Sequence, residues 1–176
     1  MLIVGCGYIG RRVAQRLSGE KYRVTGCVRS ATGAAALMDA GITALQADLD
    51  RGGPHSLPGG FEDVFYFAPP PRDGDTDTRM ASFLQALDAG SVRRIVYIST
   101  SAVYGDCQGA WIDESQVTEP TTGRGRRRLD AEQQLTAWCD RHGVQWTILR
   151  VPGIYGPGKL PLARLEKGLP VLREAD

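Results

Sequence analysis

Histidine and cysteine are scarce in this chain of 176 residues, which carries two of the first and four of the second. With only His55 and His142, a histidine-based metal centre is not expected, and no metal is assigned. Cys6, Cys27, Cys107 and Cys139 show no C-x-x-C spacing. That excludes a zinc ribbon or a disulfide framework and reads as reduced thiols in a cytoplasmic protein. An excess of one charge is lacking too: 21 basic against 20 acidic side chains leave a formal +1, with a pI of about 7.7. Such a balance argues for neither nucleic acid nor a membrane surface as partner. No apolar run approaches the ~20 residues of a membrane span. No signal peptide is expected, because Met1 reads as part of the first strand. There is no internal repeat and no low-complexity tract, so the expectation is one domain, 1–176, long enough to bury a core.

What is present is concentrated at the start. Met1-Leu2-Ile3-Val4 runs into Gly5-Cys6-Gly7-Tyr8-Ile9-Gly10, an apolar strand followed by G-x-G-x-x-G. Ile9, Val13, Ala14 and Leu17 then share one helical face. This layout seats a dinucleotide pyrophosphate. Gly5 permits the tight turn, Gly7 lets the backbone approach the phosphates, and Gly10 lets the helix pack on the sheet. The N–H groups of the helix start, through Tyr8 and Ile9, then face the anion with the positive end of the helix dipole.

Short Val-, Ile- and aromatic-rich runs recur at residues 2–4, 22–28, 42–46, 64–67, 94–99 and 146–151, with helical stretches between them. Near-continuous apolar runs suit strands covered on both faces. Met80, Phe83, Leu84 and Leu87 repeat at helical spacing, as do Ala131, Leu135, Trp138 and Cys139. The order predicts an α/β fold, a doubly wound parallel sheet of about six strands with helices on both faces, binding ligands at the carboxyl ends of its strands. Turn-rich breaks fall at residues 51–60 and 69–78. A longer non-periodic stretch, 105–125, leaves a strand on that ligand side and reads either as a lid or as a plain surface loop.

The second strand selects the cofactor. NAD-preferring folds place an acidic residue roughly ~20 positions beyond the glycines to bond the ribose 2′-OH. Here no acidic residue lies between Lys21 and Met38, and the strand ends Cys27-Val28-Arg29-Ser30. A guanidinium with a hydroxyl can take a 2′-phosphate that a carboxylate would repel, so NADP is expected over NAD. Asp48 and Leu49, closing the third strand, are placed to cover the adenine by a hydrogen bond and by packing.

Two later segments resemble a known family. Ile95-Val96-Tyr97-Ile98-Ser99-Thr100-Ser101-Ala102-Val103-Tyr104-Gly105 looks like the strand-plus-VYG segment of extended short-chain dehydrogenases/reductases. Ile148-Leu149-Arg150-Val151-Pro152-Gly153-Ile154-Tyr155-Gly156-Pro157-Gly158 looks like that superfamily's L-R-x-x-x-x-Y-G-P segment. With the opening glycines, the chain is similar over nearly its whole length to the NAD-dependent epimerase/dehydratase group. The Pro69-Pro70-Pro71 run points to its small atypical members. The resemblance implies an NAD(P)-binding Rossmann fold, with Ala68, Pro69 and Pro152 beside the cofactor and Thr100 holding a substrate hydroxyl or carbonyl. It also implies a dimer through two long helices, here residues 76–89 and 126–142.

The family's chemistry needs a Tyr and, four residues later, a Lys whose charge depresses the tyrosine pKa, since a phenol near ~10 is a poor base at neutral pH. Anchored on Leu129-Asp130-Ala131-Glu132, those positions hold Arg124 and Arg128. Arg128 retains a cation that can contact the ribose or a phosphate, but a guanidinium relays no proton. Tyr104, Tyr155 and Cys107 are the substitutes near strand ends, and the arginine cluster itself reads as an anion site or as a solvated basic turn. The family's substrate lobe, beyond about residue 160, is largely missing; residues 160–172 offer one helix through Leu162, Leu165 and Leu169. Three readings stand: an NADP-dependent oxidoreductase or epimerase acting on a small carbonyl or hydroxyl compound, a non-catalytic nucleotide-binding sensor, and a degenerate fragment whose fold persists while binding is lost.

Overall fold

The computed structural model describes residues 1–20, 22–50, 57–160, 162, 166 and 168. The helix expected over 160–172 and part of the 51–60 break lie outside the described residues. Six strands, β1 (Leu2–Val4), β2 (Thr25–Val28), β3 (Thr43–Gln46), β4 (Asp63–Tyr66), β5 (Arg94–Thr100) and β6 (Gln145–Val151), form one sheet. Its order is β3-β2-β1-β4-β5-β6, and every pair is parallel. The chain therefore winds outward from β1 in one direction, then returns to β4 and winds the other way. The switch point between β1 and β4, where such folds hold ligands, is where the glycine loop emerges.

Alternation along the central strands assigns the two faces. Leu2, Val4, Val64 and Tyr66 point into a core shared with Met80, Phe83, Ala131 and Leu135, on helices α3 (Thr78–Ala86) and α4 (Gly123–His142). Ile3 points the other way, with Phe65 beside it, into a smaller core containing Ala14 and Leu37, on α1 (Tyr8–Gly19) and α2 (Ala31–Met38). A strand buried on both faces needs apolar residues at consecutive positions, as the sequence pattern required.

Strand ends shift by one to three residues from the expected runs, because ladder pairing and not hydrophobicity sets them. β2 starts at Thr25, opposite Leu2 of the three-residue β1. Helix ends follow their caps. Asp77 accepts hydrogen bonds from the N–H groups of Arg79 and Met80 and starts α3 at Thr78, later than the expected 76. The Thr122 side chain accepts from Gly125 N–H and Gly143 closes the far end in a left-handed conformation, so α4 runs three residues further back than expected.

Candidate functional site

Gly5 turns the chain off β1 with φ of 76°, a conformation L side chains rarely adopt. A Cβ there would meet the Ala68 Cα at 2.6 Å, so the glycine also lets the ends of β1 and β4 approach. The Gly5 and Cys6 N–H groups both donate to the Cys27 carbonyl at 3.0 Å, tying the loop to the end of β2. Gly10 lies against the sheet: a Cβ would fall 3.0 Å from Ile3 Cγ2. At Gly7 the added atom would meet nothing nearer than the Gly5 carbonyl at 3.9 Å, so the loop leaves open space on its outer side. No side chain caps α1 and its first turn holds no acidic residue. The start of the helix, Tyr8 to Gly10, therefore offers N–H groups to an anion.

Beside this loop lies a cleft of about 310 Å³ lined by Gly5, Gly7, Arg29, Asp48, Leu49, Ala68, Pro69 and Arg79 among others. Seven residues singled out from sequence, contributed by the ends of β1 to β4, thus converge on one cavity. Leu49 is buried at its wall. Asp48 turns an oxygen back to the N–H of Asp50 at 3.0 Å. Cys27 completes the floor, its thiol pushed up to about 11 by burial and by neighbouring Cys6, so it is neutral lining. Open space at Gly7, an uncapped helix start and a cation at the rim fit a dinucleotide's phosphates.

Other candidates are placed differently. Ser30 caps α2, accepting from Gly33 N–H at 3.1 Å, and does not line the cleft. Tyr8 sends its side chain away to donate to the Pro157 carbonyl at 3.0 Å, under the cations of Arg12 and Lys159. Its ring thereby tethers the turn after β6, and only its backbone is free for phosphate. Ile9 is half-buried and Pro152 is exposed just beyond β6. Thr100 ends β5, where its hydroxyl accepts from Ala102 N–H at 3.3 Å and keeps its own proton to donate. The Tyr104 ring packs 4.8 Å from the Arg150 guanidinium carbon, while Tyr155 is largely exposed. Cys107 contacts the Tyr104 carbonyl through its thiol at 3.9 Å.

The arginine cluster is not one anion site, because helical spacing fans its members apart. Arg124 is exposed, Arg126 pairs with Asp75 at 2.9 Å, and Arg127 donates to the Gly74 carbonyl. Arg128 is buried and gives Nη1 bonds to Tyr97 Oη at 3.1 Å and to the Ile98 carbonyl at 2.8 Å. That guanidinium is engaged inside the fold, a difference from the ribose contact expected of it. Burial raises the Tyr97 phenol to about 12, with Arg128 opposing the rise, so the pair makes no base at neutral pH. Glu132, one turn further along α4, accepts from Ser99 Oγ at 2.5 Å and from Arg150 at 2.8 Å and not from the cluster. The 105–125 stretch also departs from the lid expectation. Ile112, Asp113, Glu114 and Thr118 line a separate groove of about 740 Å³ along β6 that contains none of the glycine-loop residues.

A charged residue of the cleft, Arg79, and the carboxylate it holds, Asp50, were not anticipated. Arg79, on the first turn of α3, bonds the carboxylate of Asp50 through Nε at 2.5 Å and Nη2 at 2.7 Å. A basic residue at a helix N-terminus opposes the helix dipole, and this was the sequence signal available for Arg79.

Residues 5–173 match the NAD(P)H-binding family. The chain belongs to that family. Among curated relatives it is 29% identical over 167 residues to UDP-glucose 4-epimerase of Corynebacterium glutamicum, covering 86% of this chain and 51% of the relative. It is 29% identical over 170 residues to Protein YeeZ of Escherichia coli K12, covering 90% and 60% respectively. A solved structure of a functionally unknown conserved protein from Silicibacter pomeroyi matches with a TM-score of 0.75 at 32% identity, covering 96% of this chain and 57% of that one. These similarities bear out an extended short-chain dehydrogenase/reductase with a Rossmann fold. The chain spans between half and three-fifths of the length of these relatives. Among the described residues, no helix is long and apolar enough to cross a membrane.

Proposed function

We propose that the chain binds NADP(H) in preference to NAD(H), with the adenosine 2′-phosphate against Arg29. The observation that carries this reading is Arg29 itself, a largely exposed guanidinium at the rim of the glycine-loop cleft. Gly5, Gly7 and the first-turn N–H groups of Tyr8, Ile9 and Gly10 would hold the pyrophosphate. Asp48 and Leu49 would take the adenine, and Ala68 and Pro69 would close the wall. Ser30 would add its hydroxyl proton to the 2′-phosphate while its oxygen caps α2. Bound there, the cofactor carries a hydride to or from carbon. This chain contributes orientation: the Thr100 hydroxyl, whose oxygen already accepts from Ala102, has its proton free for a small carbonyl or hydroxyl substrate. Pro152 would flank the same end of the site. Oxidoreduction or epimerisation on such a substrate is the reaction class.

A second reading, a cofactor-sensing module without turnover, is favoured by one specific observation. The two positions of the family's proton relay hold an exposed Arg124 and an inward-turned Arg128. Such a module would signal through a partner, and a homodimer through α3 and α4 fits either reading.

Fluorescence titration with NADPH and NADH side by side tests the conclusion. Selective NADPH binding supports it, and screening carbonyl compounds for cofactor oxidation and UDP-hexoses for conversion to their epimers then separates enzyme from sensor. Absence of binding to either dinucleotide sinks both readings.

A further inference from the structure

Asp50 is a carboxylate at the very place where the cofactor reading needs a phosphate. It sits two residues after Asp48, and its Oδ2 lies 3.7 Å from Arg29 Nη1. A carboxylate near the adenosine ribose accepts from the 2′-OH of NAD and repels the 2′-phosphate of NADP. Left to itself, Asp50 would cancel Arg29 and reverse the preference.

Arg79 prevents this. Its Nε and Nη2 take both oxygens of Asp50, at 2.5 and 2.7 Å. Its Nη1 donates to the carbonyls of Pro69 and Pro70 at 2.9 and 3.2 Å. The guanidinium is thus anchored to the cleft wall while it grips the carboxylate bidentately, the strongest geometry for such a pair. The Arg29 contact is by comparison long, and that side chain is 69% exposed. Arg79 therefore holds Asp50 by the shorter, two-pronged contact, and Arg29 keeps only a long, exposed one with it.

Resting on the NADP(H) reading above, we propose that Arg79 is a positioning residue for cofactor choice: by holding Asp50 it keeps Arg29 available to the 2′-phosphate. Arg79 need not touch the ligand to act in this way, since four of its N–H bonds already go to protein. The Pro69-Pro70-Pro71 run has a part in this, since it presents the carbonyls that anchor Arg79.

The test is a set of NADPH and NADH titrations on the wild type, Arg29→Ala, Arg79→Met, Asp50→Asn and the double variant Arg79→Met/Asp50→Asn. Arg79→Met is expected to weaken NADPH by about fivefold, the upper scale of one partly exposed charge pair, and to leave NADH within about twofold. The double variant should recover the wild-type preference, because the released carboxylate is gone. A merely structural role for Arg79 would weaken both dinucleotides together and would not be rescued at Asp50. Should Arg79→Met fail to fold, Arg79→Gln takes its place with the same expectation, while Asp50→Asn alone should leave the NADPH-to-NADH affinity ratio near that of the wild type, because Arg79 already holds that carboxylate. If Arg29→Ala loses NADPH while Arg79→Met leaves the ratio unmoved, this inference falls and the NADP(H) reading survives. If the wild type shows no NADPH preference, or Arg29→Ala leaves NADPH unchanged, the reading and the inference fall together.

Discussion

Arg128 and Tyr97 meet inside the fold: the guanidinium donates to the phenol at 3.1 Å and to the adjacent Ile98 carbonyl at 2.8 Å. The residue standing where the family has its relay lysine thus ties α4 to β5. Replacing it with Met removes both bonds and leaves a buried phenol and carbonyl without that donor. Arg128→Met is expected to lower stability by about 2 kcal/mol, read by denaturant unfolding, while NADPH affinity changes less than about threefold. A large loss of NADPH affinity at unchanged stability would instead return Arg128 to the ribose.

Gly7 separates binding from folding in the other sense. Its Cβ position is open on the protein side, so Gly7→Val should fold with a melting temperature close to the wild type. The added isopropyl group would occupy the approach of the pyrophosphate, and binding of both dinucleotides should fall at least ~100-fold, beyond about 2.7 kcal/mol. Undiminished binding would remove the glycine loop as the site.

Arg29→Asp reverses the charge at the cleft rim. With the guanidinium replaced by a carboxylate, NADPH affinity should drop roughly 30-fold, about 2 kcal/mol for one lost charge-assisted bond. NADH should change little, because its 2′-OH can donate to the new carboxylate. Equal losses for the two cofactors would take the 2′-phosphate away from Arg29.

These residues differ in how visible they were before the structure. The glycine loop, Arg29, Asp48 and Leu49 lie at strand ends that hydrophobic runs mark in the sequence, so the topology alone carries them to one cleft. The pairing of Arg79 with Asp50 joins residues 29 apart, and no local periodicity connects the loop after β3 to the first turn of α3. The direction of Arg128 was hidden for a different reason. A motif comparison fixes which position is occupied, but the longer, forked guanidinium finds inward acceptors that an ammonium would meet differently. The cap that Ser30 makes on α2 was hidden for a related reason, since a helix cap and an anion site favour the same hydroxyl.

Asp77 supplies a pH dependence whose sign can be worked out. It is fully buried and caps α3 through Oδ1, while Oδ2 has no hydrogen-bond partner. Burial raises its pKa, and the cap N–H groups with Arg128 and Arg79 offset only part of that rise. Because the folded-state pKa exceeds the unfolded value of about 3.9, the native state holds this proton more tightly. The contribution of Asp77 to stability is therefore largest in acid and declines as pH rises from about 4 through the folded pKa. Asp77→Asn keeps an oxygen for the cap and removes the titration. The melting temperature of the variant relative to wild type should accordingly climb between pH 4 and pH 7, measured by thermal unfolding across that range. A difference that stays flat would mean the surrounding donors compensate the buried carboxylate completely.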